Sequence, residues 1–427
     1  MTFRFVHAAD LHLDSPLRSL ALRDPALADL IGNATRRAFT GIVRICLEER
    51  VDALLLSGDL YDGEQTSMKT ARFLAEQIDL LHQAGVQVFI IRGNHDALSK
   101  ITKELAFPDS VTIFGGRAGA VPMQRDAGGP LVVIHGISFA QAYAPDSLLP
   151  KFRPPVEGAV NIGLLHTSLG GAAGHDPYAP CGLGELQRTA SAYWALGHVH
   201  RRSEVAGNAT VVMPGMPQGR DIGEAGPKTV TLATFGADGA ITLEERLTSV
   251  AQFEWVTVAL DGAETSRDVA AALAAALGQA RDAAASEHLV ARLRLTGTTP
   301  LAWGLLRDME LLRTEAERQA EATGRTSIDK IELHCQPQAA TLDAAVSGIA
   351  SPIEELRRLM EEVAMDDAYR AETAVVAEEL RSQLPPECRA ILGTDAASFA
   401  AVLDDAIRSG IDEVLARLQP APGTGAG

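Results

Sequence analysis

FRFVHAADLH, residues 3–12, is an apolar segment that ends directly in two polar side chains, Asp10 and His12. Four more apolar segments end in polar clusters: Gly58-Asp59-Leu60-Tyr61-Asp62-Gly63, Gly93-Asn94-His95-Asp96, His166, and Gly197-His198-Val199-His200. We expect the five segments to be strands, because short apolar runs bounded by turn residues are typical of buried strands. Sites in open α/β sheets form at the carboxyl ends of strands, so the five clusters are expected to converge.

The first 245 residues or so alternate predicted strands with amphipathic helices, which indicates a βαβ start. The predicted strands are Phe3–Ala9, Ala53–Leu56, Val86–Ile91, Pro130–Ile137, Val160–Leu165 and Tyr193–Leu196. The predicted helices are Pro25–Glu49 and Thr66–Ala84. Three later segments, Ala209–Met213, Thr229–Phe235 and Ile241–Leu247, are short and separated by turns, and we predict a β-meander there.

The second part of the chain is predicted to hold a smaller α/β unit and then helices. Strand-like alternation at Val256–Leu260, Leu289–Leu295 and Ile331–Cys335 surrounds two helical stretches. The predicted domains are residues 1–248, a cap at 249–345, helices at 346–419 and a disordered Pro/Gly/Ala-rich tail at 420–427.

Composition describes a globular chain of 427 residues, 46% of them hydrophobic. We find no run of about 18 apolar residues and no signal peptide, and the four scattered cysteines fit a reducing cytoplasm. The net charge of −17 is uneven: residues 1–250 hold 22 Lys and Arg against 26 Asp and Glu, and the remainder 16 against 29. The acidic C-terminal part is therefore not expected to contact a polyanion, and a protein partner fits it better. Aromatic residues are 5% of the chain, and no basic patch is interleaved with them.

The five polar clusters contain the ligand types of a metal site. Asp, Asn and neutral His supply oxygen and nitrogen ligands without thiolates, a set that suits Mn²⁺, Fe²⁺ or Zn²⁺. The ligands are too many for one ion, and a carboxylate can bridge two ions about 3.5–4 Å apart. A single Asp-x-His is commonly a turn, but five clusters in order, each at a strand end, favour a two-metal centre.

The series Asp10-x-His12, Gly58-Asp59-x-x-Asp62, Gly93-Asn94-His95-Asp96, His166 and Gly197-His198-x-His200 resembles the calcineurin-like metallophosphoesterase superfamily. The opening His7–Asp14, together with Ser57–Asp62 and Pro214–Glu224, is more narrowly similar to the SbcD-type DNA repair exonucleases. The resemblance is strong over residues 1 to about 245. It implies an α/β fold, a four-layer α/β/β/α sandwich followed by a small cap domain and C-terminal helices.

The resemblance also implies a role for each matching residue. Asp10, His12, Asp59 and His200 would hold one metal, and Asp59, Asn94, His166 and His198 the other, with Asp59 bridging. His95 would be the catalytic histidine facing the leaving group, and Asp62 would orient it. Some relatives carry a second histidine where this chain has Asp62; an Asp there is similar to the dyad of phosphatases in the superfamily. Arg220 is a candidate substrate contact through a phosphate, and Arg201-Arg202 either contact phosphate or form surface ion pairs.

The polar clusters predict an enzyme that hydrolyses phosphodiesters with two divalent metals, Mn²⁺ being the first choice. The resemblance implies that the substrate is DNA and that the enzyme is an exo- or endonuclease acting in DNA repair. The resemblance implies a coiled-coil SMC-like ATPase partner bound through the C-terminal helices, and a homodimer through the helices at Pro25–Glu49 and Thr66–Ala84. One alternative is a phosphodiesterase of a small molecule or cyclic nucleotide. A second is a non-catalytic scaffold subunit of a repair complex, which would have no use for seven aligned ligands.

Overall fold

The computed structural model describes residues 2–15, 29–30, 32–62, 67–97, 107–123, 131–170, 178–236, 238–337, 352–384, 389, 392–393 and 395–418. In these ranges no helix is both long and apolar enough to cross a membrane. The predicted tail at 420–427 and the beginnings of the predicted helices Pro25–Glu49 and Thr66–Ala84 lie outside the described residues. The remainder of each predicted helix is confirmed as helix.

The fold is mixed α/β, as predicted, and its first 247 residues build two six-stranded sheets. The strands are β1 Phe3–Ala8, β2 Ala53–Ser57, β3 Gln87–Ile91, β4 Val111–Ile113, β5 Gly119–Pro122, β6 Val132–Gly136, β7 Val160–His166, β8 Tyr193–Gly197, β9 Ser203–Val205, β10 Thr210–Met213, β11 Thr229–Phe235 and β12 Ile241–Leu247. One sheet has the order β12-β11-β1-β2-β3-β4, and the other β5-β6-β7-β8-β10-β9. The helices here are α1 Ala34–Glu48, α2 Met68–Gln83 and the short α3 Leu183–Gln187.

Alternation along the strands assigns each face of a sheet to a separate core. Phe5 and Leu55 point into the core shared by the two sheets, where they meet Ile162 and Tyr193 of the second sheet. The next residues along β1 and β2 face the opposite side and pack under α1 and α2. The far face of the second sheet is covered by α3 and loops around Trp194. The layers are therefore helix, sheet, sheet and a thin outer layer in which α3 is short.

The predicted β-meander is wrong at its first strand. β11 and β12 form an antiparallel hairpin, but β10 lies in the other sheet, parallel to β8. The reason is burial: Val211 and Val212 project to opposite faces of β10, and both are buried, so the strand needs cover on both sides. β12 alternates between half-buried and exposed residues, as an edge strand does.

The remaining described residues form a three-stranded sheet and six helices. The sheet has the order β13-β14-β15, with β13 Ala251–Ala259, β14 His288–Thr299 and β15 Thr326–Pro337. The helices are α4 Ser266–Ala283, α5 Ala302–Arg307, α6 Met309–Thr323, α7 Pro352–Met365, α8 Asp367–Gln383 and α9 Ala396–Leu418.

The chain divides into two compact units. One comprises Met1–Trp255, Gln279–Arg292 and Arg325–Asp329, and the other Val256–Gly278, Leu293–Gly324 and Lys330–Gly427. The predicted domain limits at 248, 345 and 419 stay predictions.

Candidate metal centre

The five predicted clusters all follow the carboxyl ends of strands in the two central sheets. β1, β2 and β3 run parallel to one another, as do β7 and β8. The loops are joined by backbone hydrogen bonds, since the amides of Asp10 and His12 donate to the carbonyls of Gly58 and Asp59, each at 3.0 Å. The amide of His198 donates to both carboxylate oxygens of Asp10, at 3.0 and 3.1 Å, and so links the loop after β8 to the loop after β1.

Several of these residues have backbone conformations that side chains other than glycine rarely adopt. The φ angles of Asp10, His12, Asp59 and His198 are 54°, 41°, 52° and 101°. Such conformations cost about 1–3 kcal/mol each and cluster at functional sites. Gly93 has a separate steric reason, because a Cβ there would lie 2.2 Å from Oδ1 of Asp59. The unusual backbone conformations and the missing side chain at Gly93 together let the polar side chains of the loops come close to one another.

Asp10, His12 and His200 form the first ligand group. Their ligand atoms lie within 4.8 Å of one another, and the Nε2 atoms of His12 and His200 are 3.1 Å apart. Nδ1 of His200 is 2.8 Å from Oε1 of Glu224. A carboxylate only accepts hydrogen bonds, so Nδ1 of His200 carries the proton and Nε2 of a neutral His200 presents a lone pair.

Asp59, His166 and His198 form the second group, and Asn94 joins them. Nδ1 of His166 lies 2.9 Å from the carbonyl of Ser57, to which it must donate. Nε2 of a neutral His166 is then an acceptor, yet it faces Oδ1 of Asn94 at 3.1 Å and Oδ2 of Asp59 at 3.3 Å. Three acceptors that meet at one buried point require a proton or a metal cation among them.

The electrostatics of the second group agree with a cation at that point. Burial is the largest single effect on His166 and lowers its pKa. The charge and hydrogen bond of Asp59, the charge of Asp10 and the hydrogen bond to the Ser57 carbonyl together outweigh burial and raise this pKa to about 9. Burial tends to raise the pKa of Asp59, and His166 reverses that effect and holds it below its usual range. Burial, helped by the neighbouring His166, lowers the pKa of His198 to about 4, so His198 is neutral and able to act as a ligand.

The first group also contains buried polar atoms whose burial a bound metal ion would compensate. Burial raises the pKa of Asp10, whose carboxylate lies wholly inside the protein. Nδ1 of His12 is buried without a hydrogen-bond partner among the described residues and lies 3.7 Å from Oδ1 of Asp62. A metal on Nε2 of His12 would favour the tautomer with the proton on Nδ1, directed toward that carboxylate. The residues present therefore fit two divalent cations.

His95 and Asp62 lie beside the two groups as a dyad. Nδ1 of His95 is 3.0 Å from Oδ1 of Asp62, and the hydrogen bond to Asp62 raises the pKa of His95. The imidazoles of His12 and His95 hold the pKa of Asp62 well below its usual range, although only the His95 contact is short enough for a hydrogen bond. The His95 side chain is 39% exposed, in contrast to the buried ligands, and is thus accessible to a substrate.

Comparison with known proteins agrees with this geometry. Residues 3–202 match the calcineurin-like phosphoesterase family, and residues 253–336 match the middle domain of metallophosphoesterase YhaO. The chain carries a calcineurin-like metallophosphoesterase domain. This fold implies divalent metal ions, and the two ligand groups lie within it.

Three relatives illustrate the similarity of the metallophosphoesterase domain. The uncharacterized metallophosphoesterase YhaO of Bacillus subtilis is 36% identical over 52% of this chain and 55% of its own length. The DNA double-strand break repair protein Mre11 of Methanocaldococcus jannaschii is 27% identical over 46% of this chain and 51% of its own. One of the subunits of the nuclease SbcCD of Bacillus subtilis is 22% identical over 58% and 70%. The chain spans about half the length of the first two relatives.

Glu224 is a site residue that sequence reasoning missed. Besides accepting from His200, its carboxylate accepts from the backbone amide of Arg220 at 2.8 Å and from the Arg220 guanidinium at 2.8 Å. Burial tends to raise the pKa of Glu224, and the bonds from His200 and Arg220 lower it to about 2. The available signal was the acidic residue that ends the Pro214–Glu224 segment, four residues after Arg220.

Arg220 lies behind the ligands, where it connects two parts of the centre. Besides Glu224, it donates to Oγ of Ser15 at 3.3 Å, and Ser15 donates to Oδ2 of Asp62 at 2.6 Å. Arg220 is absent from the described lining of the adjacent cleft. Its partners favour a role in holding Glu224 and Asp62, and the predicted phosphate contact of Arg220 stays a prediction.

Asp96, the last residue of the Gly93–Asp96 motif, holds two loops of the centre together. Its buried carboxylate accepts from the amides of Leu60, Tyr61 and Gly93 at 3.1, 3.0 and 3.3 Å. Burial and the charge of Asp59 raise the pKa of Asp96 to about 7. Asp96 therefore ties the loop after β2 to the loop after β3.

A cleft of about 1200 Å³ opens over the centre of the metallophosphoesterase domain. Its lining includes Asp59, Asn94, His95, His198 and His200. The cleft gives a substrate access to the ligand groups and to the dyad. His7 lies outside the cleft and contacts the hydroxyl of Tyr193 and the carbonyl of Leu196, each at 3.0 Å.

Proposed function

We propose that this chain is a two-metal phosphodiesterase and that its substrate is DNA. The observation that carries the proposal is the convergence of acceptor atoms from five separate loops into two adjacent groups under one cleft. Such a set of buried acceptors is costly unless cations occupy it, and two divalent ions side by side are suited to phosphodiester hydrolysis.

The residues around the groups have distinct tasks in this proposal. Asp10, His12, Asp59 and His200 would hold one ion, and Asp59, Asn94, His166 and His198 the other, with Asp59 shared. When bound, the ions supply Lewis acidity that neutralises the phosphodiester and activates water. His95 donates a proton to the leaving oxygen, and Asp62 keeps the imidazole oriented and favours its protonated form. Mn²⁺ is the proposed first choice, and Fe²⁺ and Zn²⁺ also suit a ligand set of oxygen and nitrogen only.

The size of the cleft supports a polymeric substrate. Pockets for drug-sized ligands measure about 300–1,000 Å³, and this cleft exceeds that range. Two relatives are a DNA double-strand break repair protein and a nuclease subunit, and we extend that substrate to this chain. The second candidate, a small phosphodiester, is favoured by the Asp62–His95 pair, which is similar to the dyad of phosphatases.

The two candidates are separated by one digestion experiment. End-labelled duplex and single-stranded DNA are incubated with the protein and Mn²⁺, beside a chromogenic phosphodiester, with a chelated control. The DNA proposal expects shortening of at least one DNA substrate that stops on chelation. Hydrolysis of the small diester with intact DNA would instead select the second candidate.

We also propose that the C-terminal helices bind a coiled-coil ATPase. α7, α8 and α9 pack on one another, with Arg357 pairing with Asp412 and Arg370 with Asp404. Val414 and Leu418 are exposed, whereas Ile411 and Leu415 are buried, because α9 turns that face toward α5. The exposed apolar residues of α7 and α8 then become the proposed contact: Leu359, Val363, Met365, Val375, Val376 and Leu380.

A further inference from the structure

The cleft brings together aromatic and basic residues that are far apart in the sequence. Its lining includes Tyr178 and Trp255 together with Arg201, Arg202 and Lys228. Tyr178 stands beside the proposed ligand His198, with ring centroids 5.2 Å apart. The sequence shows no basic patch interleaved with aromatics, so this combination is created by the fold.

Trp255 is the exposed tryptophan of the cleft. Its side chain is 41% exposed, whereas Trp194 is only 1% exposed. The guanidinium of Arg292 lies 5.5 Å from the centre of the Trp255 ring and is itself held by Asp329 at 2.5 Å. This cation–π contact helps to hold the indole in place. A fixed, accessible aromatic surface is suited to stacking a planar ligand.

Two cations in the lining keep hydrogen-bonding capacity for a ligand. These cations are Arg201 and Lys228. Arg202 is not available in the same way, because it is paired with Glu204 and Glu245, each at 3.1 Å. Arg201 is exposed and forms no ion pair in the part of the chain that the structure describes. Lys228 is half-buried and donates one hydrogen bond, to the carbonyl of Ala225 at 2.8 Å, so its ammonium group can donate two more.

We propose that Trp255 stacks an unpaired nucleobase of the strand whose phosphate lies at the metal centre, while Arg201 and Lys228 contact flanking phosphates. This inference rests on the proposed function and deepens it, because it makes single-stranded nucleic acid the form of substrate that the cleft holds. Aromatic stacking tolerates every base, since each has a π face, and phosphate contacts carry no sequence information. The subsite therefore binds strands without sequence preference.

The test compares Trp255→Leu with Trp255→Phe in the full-length protein. Fluorescence anisotropy measures the Kd of a labelled, phosphorothioate-linked single-stranded oligonucleotide with Mn²⁺ at low salt, because these linkages resist hydrolysis. Loss of one stacked base should raise Kd about 5- to 150-fold in the Leu variant, and the Phe variant should bind much closer to wild type. An abasic oligonucleotide should bind wild type and the Leu variant equally, because it has no base to stack.

The small phosphodiester separates failure of this inference from failure of the proposed function. Wild type should hydrolyse methyl p-nitrophenyl phosphate with Mn²⁺, and both variants should bind as much Mn²⁺ as wild type, which shows that they are folded. If the Leu variant binds the normal oligonucleotide as tightly as wild type does, the stacking subsite is wrong and the nuclease proposal stands. If wild type hydrolyses the diester but binds no oligonucleotide, the DNA assignment fails and the subsite with it.

Discussion

Oε1 of Glu224 lies 2.8 Å from Nδ1 of His200, on the side of the imidazole opposite His12. This contact fixes which nitrogen of His200 carries the proton and leaves Nε2 available as a ligand. The same carboxylate is held by Arg220, which is linked through Ser15 to Asp62. The proposed metal ligand and the proposed catalytic dyad are therefore connected by one chain of hydrogen bonds.

Glu224→Ala should weaken metal binding by about 10- to 100-fold, because loss of a carboxylate behind a histidine ligand has effects of that size. Glu224→Gln keeps an oxygen that can accept from His200 and should fall between Ala and wild type. Titration with Mn²⁺, followed by the electron paramagnetic resonance signal of the free ion, measures the affinity. Glu204→Ala is the matched control, since Glu204 pairs with Arg202 instead. Equal affinity in Glu224→Ala and wild type would contradict the proposed role.

Asp59→Asn should reduce metal occupancy more than Asp10→Asn does, because Asp59 is proposed to bridge both ions and Asp10 to bind one. Asp59 lies against His166, whereas Asp10 belongs to the group of His12 and His200. Elemental analysis of the purified variants gives the number of ions per chain. The same occupancy in both variants would reject the bridging role of Asp59.

His95→Gln should retain both metals and lose most turnover, about 10²–10⁴-fold, because general acid catalysis contributes that much. His95 is accessible at the cleft, and both ligand sets are complete without it. Turnover of a phosphodiester is measured beside the metal content of the same preparation. Loss of metal would make His95 a ligand instead, and near-normal turnover would remove it from catalysis.

The strand pattern predicted most of what positions this site, for a local reason. Apolar runs such as Phe3–Ala8 and Val160–His166 show directly where strands end, and parallel strands bring their carboxyl ends together. All seven predicted ligands, with His95 and Asp62, consequently lie in one region.

Features that depend on contacts between distant segments could not be predicted from the strand pattern. Glu224 pairs with His200 across 24 residues, and nothing local marks that partnership. The placement of β10 in the second sheet depends on burial of both its faces, which spacing alone does not show. The cleft combines Trp255 with Arg201 only after folding.

Val376→Asp should abolish binding to the proposed ATPase and any ATP-stimulated cleavage while basal Mn²⁺-dependent hydrolysis persists. Val376 is 65% exposed on α8, so a charge there disturbs a contact surface and not a core. Deletion of residues 346–427 should have the same effect on the partner, but it also uncovers the face of α5 against which α9 packs. A pull-down with the ATPase, with Ala371→Asp as an exposed control on the same helix, measures association. Retained binding in the Val376 variant would place the contact elsewhere.

The central claim is a two-metal centre that hydrolyses phosphodiesters, and the direct test is to count metal and activity in one titration. Chelator-treated protein is supplied with increasing Mn²⁺, and bound metal is measured beside hydrolysis of a phosphodiester. The account predicts saturation at about two ions per chain, with activity that is absent without metal and restored as the sites fill. Hydrolysis that persists after chelation, or full activity with a single bound ion, would contradict it.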